Sequence, residues 1–199
     1  MQHTMRIKGV LFLLTLVSYS FAQSADERIK ERIDSLKLTI ETQYNDEVRS
    51  AVYELIGNFG GKTSKAISQY LIYKEELDSF FAANNTPREF ALAAVSLTYF
   101  NAFYDDDTGC EGPFKMRYNV AKSNGLHISN YVDERRNVLK AADAFCKELN
   151  SIYFKSDDWR VAYAVYCSGT IEWQKAKMNS EDMENDFWLI NGFLPTVHK

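Results

Sequence analysis

Cysteine is scarce here: three residues, Cys110, Cys146 and Cys167, in a chain of 199. The odd count leaves at least one thiol unpaired within the chain. No C-x-x-C spacing and no cluster among the three histidines appears, so zinc is a poor reading, and His127 and His198 read as surface residues. A basic surplus is missing too. Lysine and arginine total 23 against 27 acids, a net charge of −4, and phosphate neutralisation needs a basic face, which argues against nucleic acid as partner. No alternating run is long enough to anchor a sheet, and no internal repeat is visible. No cofactor is implied by the 13 Phe and 12 Tyr, which suit a helical domain packed with aromatics.

What is present begins with a targeting segment. Arg6 and Lys8 form a positive start, Val10 to Val17 an apolar run too short to span a bilayer, and Ser20-Phe21-Ala22 a small-residue cleavage site. No cysteine follows the run, so a lipid anchor is not expected. Residues 1–22 therefore read as a signal peptide, and the mature chain as periplasmic or secreted and soluble after processing. What remains suffices for one domain with a proper core.

The mature chain reads as all-α. Ile29, Ile33, Leu36 and Ile40 recur at helical spacing, and a second helix is predicted from about Asp46 to Gly57. Gly60-Gly61 breaks it, and Thr63 or Ser64 can cap the next helix, which carries Ile67, Tyr70, Leu71 and Leu77. Thr86, Pro87 and Glu89 form a capping-box start, followed by an apolar helix over Phe90 to Phe103 that should be central. Further helices are predicted near residues 113–123, 137–153 and 158–166. Gly57 to Thr63 (G-N-F-G-G-K-T) looks like a phosphate-binding loop, but its first glycine stands one residue too close to the G-K-T and follows a helix. It reads as a helix-to-helix turn, with no nucleotide as ligand.

Several motifs line up with one family. Pro87 and Glu89, then Asn101, match the segment P-x-E-L-x-x-L-P-V-x-E-S-x-x-N-P. Thr108 to Met116 (T-G-C-E-G-P-F-K-M) follows A-G-A-A-G-L-W-Q-F. Tyr118, Lys122, Gly125-Leu126, Tyr131 to Arg136 (Y-V-D-E-R-R), Asp158-Trp159, Val165 to Gly169 and, later, Asp186-Phe187-Trp188 and Leu194-Pro195 keep the spacing. The chain thus resembles the lytic murein transglycosylases of the membrane-bound D type, whose SLT domain is lysozyme-like. That resemblance implies a helical extension over residues 23–83 and a degenerate SLT domain over residues 84–199.

The same alignment removes the chemistry. At the family's catalytic glutamate stands Leu97, and no acid lies between Glu89 and Asp105. A carboxyl group must protonate the leaving glycosidic oxygen, which a hydrocarbon cannot do. Lys115 replaces a substrate-binding glutamine and Cys167 a cleft asparagine, while Gly109, Gly112, Gly125, Trp159 and Gly169 remain. The resemblance therefore implies a pseudoenzyme without a catalytic residue, retaining affinity for peptidoglycan or its fragments, or for a cell-wall enzyme, through Asn101, Phe114, Lys115, Tyr118 and Tyr166. Cys110 and Cys167 would both border the old cleft and are candidates for a disulfide, with Cys146 as the buried free thiol. Two other readings stand beside this one: a working transglycosylase with Glu111 as relocated acid, and an interaction module without glycan affinity. The acidic run Asp105 to Asp107 reads as a solvated loop.

Overall fold

The structure is a computed structural model that describes residues 26–40, 42–57 and 59–179. Among these residues every extended element is helical, and strand-like pairing is confined to three isolated bridges. The expected signal segment and the late motifs at Asp186 to Trp188 and Leu194-Pro195 lie outside the described residues. No described helix is long and apolar enough to cross a membrane.

The chain divides into two compact units, Met1–Ala51 and Val52–Lys199. In the first, helix α1 (residues 26–35) carries Asp26, whose carboxylate accepts from the Tyr44 hydroxyl and lies 3.9 Å from Arg49. Helix α2 (Asp46–Ile56) starts where expected: the Asn45 side chain accepts from Val48 N–H, and Asp46 and Glu47 sit at the positive end of the helix dipole.

The second unit holds the core. Helix α3 (Gly60–Ala83) buries a single stripe of Ala66, Tyr70, Leu77 and Phe81. Gly60 and Gly61 open this helix instead of preceding it. A short 3-10 turn (Arg88–Leu92) leads into α4 (Ala93–Thr98). Helices α5 (Tyr118–Ser123), α6 (Val138–Ser156), α7 (Trp159–Ser168) and α8 (Thr170–Asn179) follow, with a 3-10 turn (Glu134–Arg136) before α6.

Helices α6 and α7 also fall close to expectation, because their signals are local. Asn137 caps α6 by accepting from Lys140 N–H at 3.0 Å, and Asp158 caps α7 by accepting from Arg160 N–H at 2.8 Å. Val138, Ala141, Ala142, Phe145, Cys146 and Leu149 recur at three- and four-residue steps on the buried face of α6. A two-residue turn folds α7 back onto it. At the centre, the Phe145 ring meets Phe81, Phe90, Phe114 and Tyr166, with centroids 6.2, 6.5, 4.8 and 4.7 Å away. Burying such a ring contributes about 2–3 kcal/mol.

Three local expectations are corrected. The predicted helix over Phe90 to Phe103 is a 3-10 turn plus a six-residue helix, because Tyr99 and Phe100 both turn left-handed (φ 53° and 57°). That turn delivers the Phe100 ring to Tyr70 and Tyr73 on α3, so tertiary packing overrides the apolar run. The capping box is not formed: the buried Thr86 hydroxyl instead accepts from Asn150 Nδ2 at 2.8 Å. The helix expected over 113–123 begins only at Tyr118, and α8 is a helix the sequence did not suggest.

Candidate functional site

Four of the residues singled out by sequence, Cys110, Glu111, Phe114 and Lys115, lie on one element, the loop from Tyr104 to Arg117. Its tip is a narrow turn in which Glu111 and Met116 exchange backbone hydrogen bonds at 3.0 and 2.9 Å. Lys115 adopts a left-handed conformation at φ 50° within it. Gly112, at φ 76°, cannot be replaced without disruption. A Cβ there would stand 1.9 Å from the Arg135 carbonyl oxygen, far inside contact distance.

Four carbonyls of this loop find donors from distant elements. The buried Thr98 hydroxyl, at the end of α4, lies 2.8 Å from Pro113 O. Tyr166 on α7 donates to Phe114 O at 2.7 Å. Arg135 Nη1 donates to Gly109 O at 2.8 Å and Met116 O at 3.2 Å. The loop returns the favour through Arg117, which donates to Tyr166 O and Cys167 O, both at 3.2 Å. Buried carbonyls left without donors would be expensive, so the loop has one shape.

A second layer is ionic. Arg135 is 4% exposed, and its charge is compensated by Asp133 at 2.6 Å and Glu111 Oε1 at 2.9 Å. Burial opposes that charge, but the two carboxylates outweigh it and hold the guanidinium protonated. Glu111 Oε2 accepts from Arg136 Nε and Nη2 at 2.9 and 2.8 Å. Both oxygens of Glu111 are thus engaged by guanidinium donors. In this arrangement the side chain is a counterion to both arginines.

The other expected site residues separate into two groups. Phe114 is fully buried and stacked on Phe145, and Tyr166 is 7% exposed with its hydroxyl committed to Phe114 O. Both belong to the core and are not an open floor for a ligand. Burial also pushes the Tyr166 phenol well above its ordinary value. Asn101, Lys115 and Tyr118 are accessible. The Asn101 side chain accepts from Phe103 N–H at 3.0 Å, and Lys115 Nζ lies 3.4 Å from Asp106 and 5.6 Å from the Tyr104 ring centroid. Leu97 is half-buried at the end of α4, directly before Thr98. Beside it, Ser96 Oγ and the Tyr163 hydroxyl are 3.2 Å apart, a contact no sequence signal announced.

The acidic run is not merely solvated. Asp106 organises the loop: its carboxylate accepts from Thr108 Oγ1 at 2.6 Å, Thr108 N–H at 3.0 Å, Cys110 N–H at 3.1 Å and Tyr104 OH at 3.1 Å. The cysteines are unbonded, Cys110 and Cys146 buried and Cys167 half-buried. The expected Cys110–Cys167 bridge is therefore not made. Among the described residues, no group of three or more His, Cys, Asp or Glu is placed to hold a metal ion.

The residue that sequence reasoning missed is Arg135. It lies inside the quoted Y-V-D-E-R-R string, where Asp133 two positions earlier is the signal for a fork-to-carboxylate pair. Compared with protein-family models and with curated proteins, the chain matches none.

Proposed function

We propose that this chain is an exported, non-catalytic lysozyme-like domain, related to the lytic murein transglycosylases, that binds peptidoglycan fragments. The observation that carries the reading is the fate of Glu111. With Leu97 at the position that calls for an acid, Glu111 is the nearby candidate to replace it, and both of its oxygens are spent on Arg135 and Arg136. The loop that bears the sugar-handling residues in the resemblance is held rigid by Thr98, Tyr166 and Arg135, which suits a surface kept for binding. Lys115, Asn101 and Tyr118 are the accessible polar and aromatic groups on that stretch.

The test is incubation of the mature protein with purified sacculi. No anhydromuropeptide is expected in the supernatant, and the protein should pellet with the insoluble peptidoglycan. Release of anhydromuropeptides, abolished by Glu111→Gln, would establish the enzyme reading instead. Protein that stays in the supernatant would leave an interaction module directed at a cell-wall enzyme.

A further inference from the structure

We propose that Asn124 is a self-modification site: its amide cyclises onto the Gly125 nitrogen and becomes aspartate or isoaspartate when the end of α5 opens, and Glu148 on α6 holds it latent in the closed fold. Nothing in this chemistry requires a bound glycan. An asparagine followed by glycine favours such ring closure, because glycine has no Cβ to crowd the attacking nitrogen. The chain has two Asn-Gly pairs, and Asn124-Gly125 is the one within the described residues. The step balances with water as the sole co-reactant. The Gly125 nitrogen gives its proton to solvent and bonds to Asn124 Cγ. The Cγ–Nδ2 bond breaks, and Nδ2 leaves as ammonia with a proton returned by solvent. Water then opens the ring at either carbonyl, giving aspartate or its isomer with the backbone routed through Cβ.

The closed fold blocks each requirement of that reaction. With Asn124 at φ −96° and ψ 14°, the Gly125 nitrogen nearly eclipses Asn124's own nitrogen. Ring closure needs it to eclipse Cβ, on a different arm of the tetrahedral Cα. Rotating there would break two bonds that close the end of α5 over the buried Leu126: Gly125 N–H to Lys122 O at 3.2 Å and Leu126 N–H to Ala121 O at 2.9 Å. The side chain is pinned as well. Both amide hydrogens are used, with Nδ2 donating to Val120 O at 2.9 Å and to Glu148 Oε2 at 2.8 Å. The second bond has a charged acceptor and crosses from α5 to α6, so it is the stronger tie.

The product reverses the contact. A carboxylate in place of the Asn124 amide has no hydrogen to donate and meets Glu148 as a like charge. The tie becomes a repulsion, so an α5 that has opened and reacted cannot close as before. Helix α5 begins directly after Arg117, whose guanidinium holds the Tyr166 and Cys167 carbonyls, so the loss reaches the clamped loop. The modification thus records a transient opening as a lasting change.

Peptide mapping by mass spectrometry, with isoaspartate scored by enzymatic methylation, follows Asn124 in the native chain and in urea at mildly alkaline pH. Conversion should be slower by about tenfold or more in the native chain. Glu148→Ala should raise the native rate about tenfold and leave the rate in urea unchanged. Asn124→Asp, which is one of the reaction's products, should lower the midpoint of urea unfolding, and adding Glu148→Gln should recover most of that loss. Circular dichroism before incubation checks that each variant is folded, and the native-against-urea comparison needs no variant. Equal rates in the native chain and in urea would overturn the proposal, as would a Glu148→Ala rate that matches the parent's. An Asn124→Asp chain that unfolds at the parent's midpoint would remove the lasting change.

Discussion

The Tyr166 hydroxyl, buried at the end of α7, donates to the Phe114 carbonyl 52 residues away in sequence at 2.7 Å. Through that bond the stretches around Phe114 and Tyr166 are joined inside the core. Removing the hydroxyl leaves the carbonyl without its donor. Tyr166→Phe should therefore lower stability by about 1–3 kcal/mol with little change of shape. Urea unfolding followed by circular dichroism checks this, and an unchanged midpoint would mean that the bond contributes nothing.

Ionisation of the same residue adds a pH signature. Burial raises the Tyr166 phenol in the folded state well above its unfolded value. The unfolded chain then loses this proton first, so stability is complete below about pH 10 and declines as pH rises beyond it. Tyr166→Phe should flatten part of that alkaline decline.

Two glycines in the same loop share φ 76° but not surroundings. A Cβ at Gly112 would collide with the Arg135 carbonyl, whereas one at Gly109 meets nothing within 4 Å. Gly109→Ala should cost about 1 kcal/mol for the left-handed backbone alone. Gly112→Ala should cost about 3 kcal/mol or more, since backbone must move as well. Equal melting temperatures for the two variants would contradict the close approach of loop and 3-10 turn.

Asp106 predicts an acid transition. Burial opposes its charge, but the Thr108 hydroxyl, the Cys110 N–H, the Tyr104 hydroxyl and the Lys115 ammonium outweigh that and bring its carboxyl down to about 2. A folded value below the unfolded one means the stabilisation is complete above about pH 4 and is lost as pH falls through about 2. Solvent screening reduces the contribution to about 1–2 kcal/mol. Asp106→Asn cannot titrate, so its stability should vary less than the parent's between pH 4 and pH 2. Parallel curves for parent and variant would rule this out.

The thiols should be slow to react. Burial pushes Cys146 and Cys167 up to about 12, leaving almost no thiolate at neutral pH. Native protein should react with a disulfide reagent over hours, and denatured but unreduced protein should show all three thiols at once. A count of one after denaturation would reinstate the Cys110–Cys167 bridge.

The sequence alone determined the all-helical character and the extents of α2, α6 and α7 to within a few residues. Their signals are local: a cap at Asn137 or Asp158, and apolar residues every third or fourth position. Tertiary structure decided everything that depends on partners. The Thr86 hydroxyl turned to Asn150 and not to its own helix, and Phe100 broke an apolar run to reach α3. Glu111 became a counterion because two arginines from a turn more than twenty residues later close on it. Periodicity records which face of a helix is apolar, but a pairing between remote side chains leaves no periodic trace, so only the folded chain reveals it.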